Sequence, residues 1–440
     1  MHVLVIGSGL SGLAIAIALA LAGHQVEVLE AADEITYIGA GIQISPNASR
    51  ILRRLGVDKH IEKYCTEPVD LRMMRWQDGK ILVECPLKEP AQNQYGSPYW
   101  HIHRADLHRG LLARANELGI QSHLDCRVVD VEPDTPAVTT ARGRRFTADF
   151  IIAADGLNSI CRHIVAGQAS HPIPTGQMVY RVTLPARRLE GIPELEEMIT
   201  VPRNNHWIGP HGTVLSYLLE GVNEKLVNLV FTCDTRMEDG VNQKIGTNEE
   251  VREAFKGWDP RLDLILKHVD SVLEWRLYTH STLPTWVHPS AKLCLIGDAA
   301  HAMTPYLAQG AAMGIEDAAV LGGLLAALMP SSTSSSPPDP DALRRTLHLY
   351  TTLRLPRCAH IAEASIGSRW FTQMEDGPEQ EARDAWLLEH PGIWEGHINI
   401  RSRKEFLDEL FGWDFEAVLR EAVKAEASLG EKESLEERSQ

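Results

Sequence analysis

The first thirty residues constrain the fold more than any other part of the chain. The apolar segment His2–Ile6 predicts a short strand, and the glycine-rich turn GSGLSG follows at residues 7–12. A helix then runs to about Ala22, and Gln25–Leu29 predicts a second strand, followed by Glu30. A strand, a helix and a second strand in this order are typical of a parallel, doubly wound α/β sheet of the Rossmann type.

The turn matches the GxGxxG pattern that binds dinucleotides. Gly7 permits the tight turn, Gly9 lets backbone N–H groups approach a pyrophosphate, and Gly12 lets the helix pack closely on the strand. Glu30 stands where an acidic residue accepts hydrogen bonds from a ribose. The pattern therefore predicts a dinucleotide site, but it fits FAD and NAD equally well.

A change in sequence character predicts a second domain inside the first. From about residue 176 to residue 234 the chain is rich in β-type segments separated by Gly, Pro and Asn, which favours an antiparallel sheet. An apolar strand returns at Ala291–Ile296, and a small-residue helix follows from about Gly310 to Met329. The Ser- and Pro-rich stretch 331–341 predicts a flexible loop.

We therefore predict an α/β fold: a Rossmann-type domain with an inserted antiparallel β-sheet substrate domain and C-terminal helices. The expected divisions are residues 1–170 and 281–370 for the Rossmann-type domain, 171–280 for the sheet domain and 371–440 for the helices.

The net charge and the cysteine content limit the classes of partner and site that the chain can be expected to have. A net charge of −16 argues against nucleic acid and anionic membranes as partners. The seven cysteines are scattered without a CxxC pair, so we expect neither a zinc site nor a disulfide framework. No basic, signal-like segment precedes the first strand, and the apolar run Leu10–Ala22 is too short to span a bilayer. We expect a cytoplasmic protein, as a monomer or homodimer.

Four further segments distinguish between the two cofactors. They are GDAAH at 297–301, which continues as PYLAQGAAMGIEDA at 305–318, then ADFIIAADGLNS at 148–159, HRADL at 103–107 and GAGIQ at 39–43. Together they resemble the class A, single-component flavoprotein monooxygenases, a group that includes salicylate hydroxylase and 4-hydroxybenzoate hydroxylase. The resemblance covers roughly residues 1–370 and is closest to the salicylate hydroxylase-like branch.

The resemblance implies that the segment near residue 300 holds FAD. Asp298 would hydrogen-bond the ribityl or ribose hydroxyls, and Pro305 would lie near the isoalloxazine edge. Backbone N–H groups around Gly310, Ala311 and Ala312 would begin a helix that faces the flavin ring. A helix N-terminus stabilises an anion, and the reduced flavin is such an anion.

The same resemblance assigns three more residues to the cofactor. Asp155 belongs to a motif that contacts FAD and the NAD(P)H region, although the family usually has Gly where this chain has Ala154. Arg104 would reach the pyrophosphate, unless it only forms a helix-capping salt bridge with Asp106. Gly41 lies in a loop that would run beside the flavin.

The resemblance also implies the reaction. FAD would be bound non-covalently, NADH or NADPH would be the co-substrate, and a hydroperoxyflavin would transfer one atom of O2 to a phenolic or salicylate-like ring. The absence of a second GxGxxG unit from the sequence fits this class. Oxidative dearomatisation of a polyketide phenol and epoxidation of an indole share the same motifs. A flavin-binding protein without catalysis is the alternative from another class.

Residues of the predicted sheet are candidates for the substrate site. Arg181 is a candidate anchor for a carboxylate or phenolate, with a surface salt bridge as the alternative. Tyr217 is a candidate hydrogen-bond partner of the ring oxygen, or else a core tyrosine. Among His206, His211 and His301, we place His211 first as a general base that deprotonates a phenol.

Overall fold

The computed structural model describes residues 1–34, 40–330, 339–390 and 404–437. Gly39 of the predicted flavin loop and residues 331–338 of the predicted Ser/Pro loop lie outside the described residues.

Within the described ranges the strands are β1 (His2–Ile6), β2 (Gln25–Leu29), β3 (Gly41–Ile44), β4 (Asp70–Arg75), β5 (Ile81–Pro86), β6 (Trp100–His103), β7 (Gln121–His123), β8 (Val128–Glu132), β9 (Ala137–Thr140), β10 (Arg145–Thr147), β11 (Phe150–Ala153), β12 (Ile173–Pro185), β13 (Asn204–Gly209), β14 (Gly212–Glu220), β15 (Lys225–Asp234), β16 (Gln243–Gly246), β17 (Val272–Thr279) and β18 (Leu293–Leu295).

The helices are α1 (Leu10–Leu21), α2 (Pro46–Arg54), α3 (Asp58–Ile61), α4 (Lys88–Asn93), α5 (Arg104–Glu117), α6 (Ile160–Ala166), α7 (Glu196–Thr200), α8 (Asn248–Ala254), α9 (Pro260–Leu266), α10 (Asp298–His301), α11 (Gly310–Leu328), α12 (Pro340–Thr372), α13 (Pro378–Glu389), α14 (Lys404–Phe411) and α15 (Phe415–Glu437).

A five-stranded parallel sheet confirms the predicted Rossmann-type architecture. Its strand order is β18-β11-β1-β2-β7, and β1 pairs in parallel with both β2 and β11. The central strand β1 is buried from Val3 to Ile6, as expected for a parallel strand that is covered on both faces. Strand β18 adds the segment that follows the inserted domain, so the chain returns to this sheet after leaving it.

A second, eight-stranded sheet forms the inserted domain, with the order β16-β17-β12-β15-β14-β13-β4-β5. Its neighbours pair antiparallel except for β13 and β4, which run parallel. Strands β4 and β5 come from residues 70–86, within the range predicted for the Rossmann-type domain, so that boundary is corrected here. Strand β4 is charge-rich, and its sequence gives no sign of which sheet it joins. Pairing of β4 with β13, and of β5 with β4, places both strands in this sheet.

Alternation along the strands gives this sheet two different faces. Tyr180, Val182 and Leu184 of β12 point into an apolar core completed by α7, α8 and α9. Val179 and Arg181 point the other way and line a cavity between the two sheets.

The main core joins the parallel sheet to the C-terminal helices. Helix α11 packs between α1 and α12, and apolar residues of α14 and α15 belong to the same core. By length and composition α11 meets the test for a membrane span, but 72% of the tested window is buried inside the protein. A core helix has this burial pattern.

Candidate active site

A cavity of about 390 Å³ lies where the carboxyl ends of the parallel strands face the eight-stranded sheet. In open α/β sheets this is the edge at which ligands bind. The lining residues come from both sheets and from the start of α11: Gly9, Leu10, Ser11, Gly41, Ile42, Gln43, Arg104, Ala154, Gly156, Val179, Arg181, His206, Thr213, Leu215, Tyr217, Val230, Thr232, Ile296, Asp298, Met303, Thr304, Pro305, Tyr306, Ala308, Gly310 and Ala311.

In the glycine turn, Gly7 and Gly12 lie close to backbone atoms, whereas the space beside Gly9 is open. Gly7 has a φ of +100°, and a methyl group there would overlap the carbonyl oxygen of Ala154. A methyl group on Gly12 would overlap the carbonyl oxygen of Gly7. At Gly9, in contrast, no described atom lies within 4 Å of such a methyl group. The turn therefore packs tightly on the protein side and leaves an open cradle on the cavity side, which fits a pyrophosphate.

Glu30 is held beside this turn. Its carboxylate accepts hydrogen bonds from the Ser8 backbone N–H at 2.9 Å, the Ser8 hydroxyl at 2.6 Å and the Ala32 backbone N–H at 2.9 Å. Burial raises the pKa of Glu30, but these hydrogen bonds outweigh burial and lower it overall. The ribose contact remains a prediction.

The first turn of α11 faces the cavity. Gln309 precedes this helix, but its side chain makes no cap and instead donates to the Ser45 hydroxyl at 2.9 Å. Gly310 and Ala311 line the cavity, and a methyl group on Gly310 would meet no described atom within 4 Å. The N-terminus of α11 is thus positioned to bind an anionic group inside the cavity. Ala312 belongs to the same turn but is buried and is not part of the cavity lining.

The other predicted cofactor residues fall into two groups. Asp298, Arg104 and Pro305 are exposed to the cavity. Asp155 lies at its margin, where one carboxylate oxygen accepts from the Cys161 N–H at 3.3 Å and the other has no partner among the described residues. Burial raises the pKa of Asp155.

Arg104 does not form the helix-capping salt bridge with Asp106 that was the alternative to a cofactor role. Asp106 forms its ion pair with Arg109, and His103 caps α5 by accepting from the Ala105 N–H at 3.3 Å. The Arg104 side chain is therefore available to the cavity.

Arg181 enters the cavity from the sheet domain as predicted. Its guanidinium carbon lies 5.2 Å from the centre of the Trp275 ring, and its Nε atom has no hydrogen-bond partner in the described structure. Among the described residues no carboxylate pairs with it, so the surface salt bridge is not formed. Burial lowers the pKa of Arg181, which means that its charge lacks full solvation.

Tyr217 also lines the cavity and is 3% exposed. Its ring packs against His101 at 4.3 Å between centroids, and a methyl group on Gly41 would lie 2.5 Å from its ring. Burial raises the pKa of the Tyr217 phenol, so the hydroxyl stays protonated and can donate a hydrogen bond. Gly41 is required here by the close approach of this ring.

The placement of His211 in the substrate site is wrong. His211 lies in the turn between β13 and β14, its side chain is 63% exposed, and it faces Glu375 at 2.8 Å and Asp234 at 3.3 Å. The chain reverses at this residue, whose φ is +58°, so its side chain leaves the sheet face. His301 also lies outside the cavity lining and is buried against Asp317.

His206 is the histidine that lines the cavity. It pairs across the ladder with Leu215, which is two residues from Tyr217 and shares its face of the sheet. Alternation along β13 and β14 determines which side chains share a face. The sequence could have indicated His206 only if the register between the two strands had been known.

The Rossmann-type sheet has an open glycine cradle and a helix N-terminus at the same cavity, and the β-sheet roof carries an arginine without an acidic partner among the described residues. This arrangement fits a flavin-dependent oxidoreductase. The chain belongs to the FAD binding domain family, whose model matches residues 1–339.

Named relatives agree with this family. The chain is 37% identical to FAD-dependent monooxygenase OpS4 of Beauveria bassiana over 426 residues, covering 96% of this chain and 97% of that protein. It is 35% identical to 3-amino-4-hydroxybenzoate 2-monooxygenase PtmB3 of Streptomyces platensis, covering 87% and 91%. A solved salicylate hydroxylase substrate complex superposes with a TM-score of 0.77 at 25% identity, covering 96% and 98%.

The protein is therefore an FAD-dependent aromatic monooxygenase that uses NAD(P)H and O2, and the predicted cofactor and fold are confirmed. Bound FAD supplies the redox chemistry by accepting electrons from NAD(P)H and activating O2. Dearomatisation, indole epoxidation and flavin binding without catalysis are not favoured by these relatives.

Proposed function

We propose that the substrate is a phenol that also carries a carboxylate or a similar anionic group, and that Arg181 holds this group. The observation that carries the proposal is a partly desolvated guanidinium that faces the cavity without a described acidic partner. Arg binds carboxylates through two parallel N–H···O bonds, which fix orientation as well as position.

The remaining lining fits an aromatic ring. Val179, Leu215 and Val230 give the sheet side an apolar surface, while Thr213 and Thr232 add hydroxyl groups. An apolar wall with a few polar groups is typical of a site that orients a small ligand. Tyr217 would donate a hydrogen bond to a ring oxygen, since its hydroxyl stays protonated.

Two relatives support this substrate class. One is named for 3-amino-4-hydroxybenzoate, and a superposed structure is named as a substrate complex of salicylate hydroxylase. Both names describe a ring that bears a hydroxyl and a carboxylate group.

We further propose His206 as the base that accepts the phenol proton, in place of His211. A phenolate is a stronger nucleophile than a phenol, so proton removal promotes attack on an electrophilic oxygen. His206→Asn is expected to lower kcat about a hundredfold, because the proton acceptor is lost. His211→Asn is the control and should leave kcat unchanged, because this side chain lies outside the cavity. Equal effects of the two substitutions would rule out His206 as the base.

A substrate panel tests the proposal. Substrate-stimulated NAD(P)H oxidation would be measured with a hydroxybenzoate, the corresponding phenol without its carboxylate, a resorcyl ketone and an indole, with mass spectrometry of each product. The hydroxybenzoate should give the highest kcat/KM and a product that has gained one oxygen atom. Preference for the ketone or the indole would contradict the proposed anion, and the same assay would then identify the reaction.

A further inference from the structure

A cluster of buried charges lies behind the first turns of α11. Glu316 and Asp317 of this helix are fully buried and meet two arginines of α12. Arg354 donates to Glu316 at 2.6 Å and to Asp317 at 2.8 Å, and Arg357 donates to Glu316 at 2.7 Å. Two carboxylates are thus balanced by two guanidinium groups.

His301 is the fifth member of this cluster. Its Nε2 atom lies 2.6 Å from the Asp317 oxygen that also accepts the Gly297 N–H at 2.9 Å. Burial lowers the pKa of His301, but the adjacent Cys358 sulfur and the Asp317 carboxylate outweigh burial and raise it well above its usual range. With Cys358 as a thiol that donates toward the other Asp317 oxygen at 3.9 Å, a protonated His301 gives the cluster a net charge of +1.

The cluster is connected to two segments that line the cavity, the one that contains Asp298 and the start of α11. Gly297 directly precedes Asp298, which lines the cavity, and its N–H is fixed by Asp317. Asp317 also lies about two turns, roughly 10 Å, from the start of α11 at Gly310. A charge at this depth acts on the cavity through protein, where screening by solvent is weak.

We propose that His301 is a positioning residue that tunes the cofactor: as an imidazolium held by Asp317, it leaves a net positive charge behind α11 and favours the negatively charged, reduced state of bound FAD. The inference rests on FAD binding, which the family establishes, and it does not depend on the proposed substrate.

The groups around His301 come from several elements. It lies next to Asp317 of α11 and Cys358 of α12, and the Trp286 ring centre is 5.1 Å from its own. Arg354, the cation on the far side of Asp317, donates to the other carboxylate oxygen at 2.8 Å. Arg162 of α6 donates to the adjacent Ala300 carbonyl at 2.7 Å.

A metal ion is a poor alternative occupant. The ligand atoms of His301, Asp317 and Cys358 lie within 4.8 Å of one another, as a metal site would require. However, Arg354 donates to the other Asp317 oxygen at 2.8 Å and to the Cys358 sulfur at 3.4 Å. A second cation placed between these ligands would be repelled by this guanidinium.

The test is the midpoint potential of FAD bound to the wild type, His301→Gln and Cys358→Ala. Glutamine can still donate to Asp317 but carries no charge, so the reduction equilibrium should become about tenfold less favourable, or about 30 mV for a two-electron couple. Cys358→Ala keeps the imidazole but removes one of the two groups that raise its pKa, so its potential should fall by less than that of His301→Gln.

An unchanged potential in His301→Gln, or an equal fall in both variants, would overturn the proposal. If His301→Gln does not retain FAD, NMR of the histidine-labelled wild-type holoprotein gives an independent result. The His301 ring should carry two protons at pH 7, and a neutral ring would refute the tuning role. Neither measurement involves substrate, so failure here would leave the proposed substrate class intact.

Discussion

Gly12→Ala is expected to yield a protein that is purified without its yellow colour. The added methyl group would overlap the Gly7 carbonyl oxygen and lie 3.3 Å from the Ala154 side chain. The overlapping atom belongs to the backbone, so relief requires α1 to move away from β1. Overpacking of this kind destabilises by about 1–3 kcal/mol, and it also displaces the turn that forms the cofactor cradle.

Gly9→Ala is the matched control because its methyl group would meet no described atom within 4 Å. The apoprotein of this variant should melt at the wild-type temperature, whereas its FAD affinity should fall about a hundredfold, or roughly 2.7 kcal/mol. Thermal melting of both apoproteins and fluorescence titration with FAD would check these results. If Gly12→Ala binds FAD as the wild type does, the turn is not the cofactor cradle.

Arg181→Gln is expected to lower kcat/KM for a hydroxybenzoate mainly through KM. Removing one partner of a buried charge pair costs about 2–5 kcal/mol, which corresponds to roughly 30-fold to several thousand-fold. The effect should disappear with an analogue in which a neutral amide replaces the carboxylate, since no charge pair is then lost. Steady-state kinetics with both compounds measure the difference.

Arg181→Lys provides the graded control. Lysine keeps the charge but loses the planar fork and its stacking on Trp275, so kcat/KM should lie between the wild type and the glutamine variant. A change of less than threefold in KM for Arg181→Gln would mean that the anion binds elsewhere.

The sequence predicted those parts of the site that depend on local structure. The turn at 7–12 requires glycine at Gly7 and Gly12 because backbone atoms approach closely there, and such requirements leave readable motifs. Alternation along one strand places Arg181 on the face opposite Tyr180, and Arg181 lines the cavity. Tyr217, chosen by resemblance to the family, lines the same cavity.

Features that depend on distant pairing were not predicted. The base candidate depends on the turn between β13 and β14, which carries His211 away and leaves His206 opposite Leu215. Strands β4 and β5 join the sheet only through pairing with β13. The charges of Glu316 and Arg354 meet only after α11 and α12 pack together.

Incorporation of labelled oxygen tests the central claim most directly. The FAD-loaded protein would turn over a hydroxybenzoate with NADH or NADPH under ¹⁸O2 in unlabelled water, with mass spectrometry of the aromatic product. If the cavity between the two sheets holds both cofactor and substrate, each product molecule should contain a single ¹⁸O atom. A product without label, or NAD(P)H consumption that yields only labelled hydrogen peroxide with every compound in the panel, would contradict it.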